Sequence, residues 1–217
     1  MLDVDAVVFD VGETLVNEDR AWSAWASWMG VPRSVLFACL GATIARREDH
    51  RRAFELLDDD FDFEAQRQAK ELAGYGWQLD AEDLYPDALP CLAQLSSAGY
   101  RLGIAGNQPP AVEHALVAAD LPVAFIASSE TLAASKPDLA FFERVVDLAG
   151  VPPERIAYVG DRVDNDVLPA HDAGMISVFI RRGLWGYIHA TWPEAGRADV
   201  VISSLGELAA LLGAGAT

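Results

Sequence analysis

Lysine is almost missing from this sequence. Of 16 lysines and arginines in 217 residues, only Lys70 and Lys136 are lysines, so a lysine inside a motif stands out. Cysteine is equally scarce. Cys39 and Cys91 are the only two, without CxxC spacing, which gives neither a disulfide framework nor a zinc site. They read as reduced core thiols of a cytoplasmic protein. No apolar run approaches the roughly 18 residues needed to cross a membrane. The opening MLDVDAVVFD has acids where a secretory leader carries basic residues, and is not expected to be a signal peptide. Positive charge is also lacking, since the formal net charge is -17. Such a surface repels nucleic acid and anionic lipid, so neither is expected as a partner. Any anionic substrate must be drawn by the site itself, through a metal ion, helix N-termini or a local cation.

Hydrophobic residues, by contrast, make up 52% of the chain, enough for a packed core. Short apolar runs predict strands at Ala6 to Phe9, Leu102 to Ala105, Val123 to Ala127, Ile156 to Val159 and Ile176 to Ile180, with a short sixth at Val200 to Ile202. Unbroken runs of this length fit strands covered on both faces, as in parallel sheets. Helical patterns lie between them, from near Pro86 to Gly99, from Pro110 to Ala119, and from Pro137 to Gly150. Pro near the start and Gly past the end is the expected asymmetry. The alternation predicts an open α/β sheet.

Residues 18–84 break the rhythm with helical patterns and no strand, and read as an insertion after the first strand. The expected division is therefore 1–17 with 85–217 as an α/β core, and 18–84 as a helical unit. Trp22, Trp25 and Met29 share a helical face expected to pack inward. Arg46, Arg47, Arg51 and Arg52 are expected on a solvated face. The tail GAGAT is expected to fray.

Sites in open α/β sheets form outside the carboxyl ends of strands. Four features fall there. FDVGETL, residues 9–15, ends the first strand with Asp10, a carboxylate suited to nucleophilic attack or metal ligation. Gly106-Asn107 follows the second strand and reads equally well as a turn. SKPD, residues 135–138, places Lys136 at a helix start, where the dipole already favours acids; a cation there makes sense facing an anion or carboxylates. YVGDRVDND, residues 158–166, offers Asp161, Asp164 and Asp166. Clustered carboxylates repel unless a cation or proton compensates, and hard oxygen ligands select magnesium or calcium over zinc.

In order and spacing these features resemble the haloacid dehalogenase superfamily, whose members are mostly phosphatases. Asp10 matches the family's nucleophile and Thr14 its following threonine. Lys136-Pro137 matches the third motif, and Gly160, Asp161 and Asp166 match the fourth. The resemblance implies a Rossmann-like parallel sheet with a helical cap, here residues 18–84. It implies a magnesium-dependent phosphatase acting on a small phosphorylated metabolite through an aspartyl-phosphate. Mg2+ would be held by Asp10, the Gly12 backbone carbonyl and Asp161, with Asp166 binding directly or orienting Lys136. Thr14, Gly106, Asn107 and Lys136 would bind the phosphate.

Two departures stand out. The second Asp of the first motif, a general acid and base in the family, is Gly12. The Ser or Thr of the second motif is replaced at Gly106. Glu13 is a poor substitute if consecutive residues point to opposite sides; Glu18, Asp19, another cap residue or a water is the other source of a proton. The departures leave open a weakly active or non-catalytic phosphate-binding protein. A carbon–halogen hydrolase needs no metal and leaves the acidic loop unexplained. A phosphonate hydrolase would need a Schiff-base lysine in the cap, where Lys70 is the only candidate and sits in a polar helix.

Overall fold

A computed structural model describes residues 2–214; the last three residues of the GAGAT tail lie outside it. The chain divides into two compact units, Met1–Asn17 with Leu79–Thr217, and Glu18–Gln78.

The first unit is a six-stranded sheet. Its strands are β1 (Ala6–Phe9), β2 (Arg101–Gly106), β3 (Phe125–Ser128), β4 (Ile156–Gly160), β5 (Ile176–Ile180) and β6 (Val200–Ile202). Their order is β3-β2-β1-β4-β5-β6, and every pairing is parallel. The chain winds outward from β1 through β2 to β3, then returns to the other side of β1 at β4. The switch point between β1 and β4 is where such sheets open a crevice. The third strand starts two residues later than its apolar run. Leu121-Pro122 still turns there, with Val123 N–H donating to Leu121 O at 2.7 Å.

The helices of this unit share the sheet's core. The helix at Leu139–Ala149 buries Phe141, Phe142, Val145 and Ala149 and stops at Gly150, whose left-handed φ of 67° closes it. Its buried rings pack with Ala6, Val8, Ile156 and Tyr158. Phe142 meets Phe141 and Tyr158 edge-on at 5.3 and 5.2 Å. Burying each such side chain stabilises the fold by roughly 1.5–3 kcal/mol.

The second unit is helical, with helices Asp19–Trp28, Arg33–Ala45, Arg52–Glu55 and Phe63–Lys70. Trp25 packs within it against Phe54, Phe61 and Phe63, with ring centroids 5.0 to 6.4 Å apart. Trp22 is buried. Arg46, Arg47, Arg51 and Arg52 are exposed. Lys70 departs from the expected polar helix surface, because its side chain is buried. The expected return to the core at residue 85 moves forward to residue 79. The segment before Tyr85 belongs with the exit of β1: Asn17 N–H donates to Asp83 O at 2.7 Å, Tyr85 N–H donates to Leu15 O at 2.9 Å, and Val16 bridges Leu84.

Candidate active site

Phe9 lies opposite Val159 in the β1–β4 ladder, so the residues leaving these strands emerge side by side. Asp10 continues the ladder, its N–H donating to Val159 O at 2.8 Å. Asp161 follows β4 directly. Asp166 comes from the helical turn Val163–Val167 beyond it. Asp10, Asp161 and Asp166 are all buried, and each places a carboxylate oxygen within 4.8 Å of the others.

Lys136 closes this cluster. Its Nζ donates to Asp10 Oδ1 and to Asp166 Oδ1, each at 2.6 Å. Burial alone would lower its pKa, but the charges of Asp10 and Asp166 outweigh that and hold it well above the ordinary value. The rings of Tyr158 and Phe141 lie 5.8 and 6.0 Å away, a further attraction for an ammonium. Lys136 does not start the helix as expected, since the helix begins only at Leu139. The ammonium answers the carboxylates. Asn107 fixes its backbone: Lys136 N–H donates to Asn107 Oδ1 and Asn107 Nδ2 donates to Lys136 O, both at 2.8 Å.

The two other carboxylates differ in their commitments. Asp166 Oδ1 takes Lys136 and Oδ2 takes the Arg162 N–H at 2.9 Å. Burial pushes its pKa up to about 6 in spite of Lys136. Asp161 Oδ2 is buried with no hydrogen-bond partner. Its pKa is raised well above the ordinary value by burial, then by the charges of Asp166 and Asp10. Three carboxylates against one ammonium leave an uncompensated negative site, and the open oxygen is a hard donor of the kind a divalent cation takes. Asp164 stands apart, exposed and paired with Arg162 at 3.0 Å.

Glycine allows two close approaches here. A Cβ at Gly160 would run into the Asp166 side chain. At Gly106 it would lie 2.5 Å from Asp10 Oδ1. The strand end where the resemblance expects a hydroxyl is thus pressed against the Asp10 carboxylate. Thr14 is fully buried and its Oγ1 has no hydrogen-bond partner.

The sequence sets Glu13 aside as turned away, and no pattern in it points to Tyr85, Arg182 or His189 as site neighbours. Glu13 has a left-handed φ of 51°, which breaks the alternation expected to turn it away. It is buried, accepts a hydrogen bond from the Tyr85 hydroxyl, and adds to the field that raises the Asp161 pKa. Arg182 stands 4.0 Å over the Tyr85 ring, donates to Thr14 O, and reaches Asp87 Oδ1 at 2.8 Å. His189 Nδ1 accepts the Val163 N–H at 3.0 Å while its ring stacks on Trp192 at 3.8 Å, which pins the turn carrying Asp166. The hydrogen-bonded pairs among these are separated by 26 to 168 residues, so no local pattern announces them.

Comparison with known proteins gives a consistent neighbourhood. A family model for haloacid dehalogenase-like hydrolases matches residues 4–174. A glyceraldehyde 3-phosphate phosphatase of Methanopyrus kandleri is 29% identical over 83% of this chain and 85% of its own length. A phosphoglycolate phosphatase of Rhodospirillum rubrum is 36% identical over 54% of this chain, about half its own length. Among solved structures, a predicted phosphoglycolate phosphatase from Haemophilus somnus superposes with a TM-score of 0.74 at 21% identity, over 98% of this chain and 99% of the other.

Proposed function

Since this chain belongs to the haloacid dehalogenase-like hydrolases, we propose that it is a magnesium-dependent phosphatase of a small phosphorylated metabolite, with Asp10 as nucleophile. One observation carries the reading: a buried lysine clamped between two carboxylates, beside a third whose buried oxygen lacks a partner. The phosphatase activities of the relatives support it.

Asp10, the Gly12 carbonyl and Asp161 would hold the ion. When bound, it supplies positive charge that neutralises the phosphoryl oxygens. The remaining chemistry belongs to the chain. An Asp10 oxygen attacks phosphorus as the ester oxygen departs in line, forming an aspartyl-phosphate. Lys136 holds Asp10 at one oxygen, which leaves the other to attack, and its charge stabilises the transferring group. Asp166 acts through Lys136, since both its oxygens are occupied. The Asn107 side chain is committed to the Lys136 backbone, so the phosphate contact expected of Asn107 falls to its backbone N–H. Water then attacks phosphorus and releases phosphate and the Asp10 carboxylate.

A screen of phosphorylated metabolites with and without Mg2+, run beside Asp10→Asn, tests the reading. Turnover should require both the ion and Asp10. Calorimetry on Asp161→Ala should show lost Mg2+ binding. Phosphatase activity that persists in Asp10→Asn would refute the assignment of the nucleophile.

A further inference from the structure

Within the helical unit, the first helix and the turn after the fourth line an open pocket of about 160 Å³. Its walls include Arg20, Ala21, Ala24, Lys70, Tyr75 and Trp77, and none of its lining residues is acidic. In a chain of net charge -17 that is a local inversion.

Lys70 is the unusual member. It is only 5% exposed, and lysine is rarely buried without a partner of opposite charge. No carboxylate among the described residues forms an ion pair with it. One of its three N–H donors goes to the Tyr75 carbonyl, and the Trp25 ring lies 5.2 Å from Nζ. Burial lowers its pKa and the charge of Glu71 only partly offsets that, so an anion beside it would regain what desolvation removes. Arg20, held by a bond to Gln78 O at 2.7 Å, adds a second cation to the wall.

We propose that this cavity binds a small carboxylate, with the Lys70 ammonium as its ion partner and Tyr75 and Trp77 enclosing its carbon body. A single buried ammonium matches a monoanion. A phosphate dianion would leave one charge unmatched by that ammonium, because Arg20 is exposed and bonded to Gln78 O. The carboxylate belongs either to the substrate or to a separate small acid. The proposal does not need the phosphatase reading, because binding is measured without turnover.

The test is calorimetric titration of the whole protein with sodium benzoate, against sodium chloride at equal ionic strength. Wild type and Asp10→Asn should bind alike. Lys70→Met, which keeps the stem and removes the charge, should bind at least about tenfold more weakly, the scale of one buried charge-assisted contact. Ala24→Leu, which fills the cavity and leaves Lys70 in place, should lose binding too, and it decides the matter if Lys70→Met does not fold. No heat above the chloride control in wild type would overturn the proposal, as would benzoate binding within twofold of wild type in either variant. Competition on Asp10→Asn separates the sources. Displacement of benzoate by phosphoglycolate but not by phenyl phosphate assigns the site to the substrate's carboxylate. Displacement by neither assigns it to a free acid. Displacement by phenyl phosphate shows that the cavity does not read a carboxylate, and overturns the proposal.

Discussion

At position 12 the chain carries a hydrogen atom where proton transfer to a leaving oxygen would need a side chain. General acid–base catalysis typically contributes about 10² to 10⁴ in rate, and substrates with good leaving groups need least of it. Aryl and acyl phosphates should therefore turn over far faster than alkyl phosphates, and Gly12→Asp should narrow the gap. A rate series over leaving-group pKa measures this; a flat series in the wild type would mean that another group, with the Glu13–Tyr85 pair as a candidate, already donates the proton. The same scale explains Gly106. A side chain there meets Asp10 Oδ1 while Lys136 holds that oxygen. Gly106→Ser should thus lower turnover of an aryl phosphate by about tenfold or more, the order of one misplaced charge contact, despite restoring a hydroxyl. Equal or faster turnover would show that Asp10 has room to move.

Among the elements, the edge strand β6 is tied to β5 by its ladder and, just before it, by one carboxylate. Asp199 Oδ2 accepts the Ser177 N–H at 2.8 Å and the Ser177 hydroxyl at 2.7 Å, joining β6 to β5. Burial raises its pKa, but the bonds from Ser177 and the nearby His171 outweigh it, and the net shift is downward. A depressed folded-state pKa contributes stability above the unfolded value of about 3.9, which is lost as pH falls through the folded value. Asp199→Ala should cost about 1–3 kcal/mol at pH 7 by leaving Ser177 short of partners. In urea melts, the gap to wild type should shrink below about pH 4; a gap independent of pH would remove the charge from the explanation. The element scale is also where the sequence was most readable. Ala6–Phe9, Ile176–Ile180 and Val200–Ile202 coincide with their apolar runs, because strands covered on both faces need no polar alternation. The short helices Leu168–Asp172, Gly183–His189 and Leu205–Leu211 were not legible. They are too brief to show a period, and long-range contacts hold them, such as Leu205 N–H to Asp87 Oδ2 at 2.9 Å. Asp10, Lys136, Asp161 and Asp166 were readable as separate motifs at strand ends. Their union around one ammonium, and the partners Glu13, Tyr85, Arg182 and His189, follow from contacts that only the folded chain makes.

For the molecule as a whole, the net charge of -17 sets the terms of encounter. A phosphorylated substrate approaches against a repulsive field that 0.1 M salt screens beyond about 10 Å. The KM for an anionic substrate should fall as potassium chloride rises from about 10 to 200 mM at fixed Mg2+. A rising KM would mean that the local cations, not the overall charge, govern approach. Among the described residues no single helix is long and apolar enough to cross a membrane.

Both lysines are inside, Lys70 at 5% exposure and Lys136 at 4%, one in each compact unit. The folded chain therefore shields both from an amine-reactive ester too bulky for the pocket beside Lys70. Each lysine becomes a chemical reporter on the opening of its own unit, resolved by peptide mass after digestion. The helical unit has the smaller core and is expected to open first. Lys70 should thus become acylated at lower urea than Lys136, while equal midpoints would show that the two units open as one.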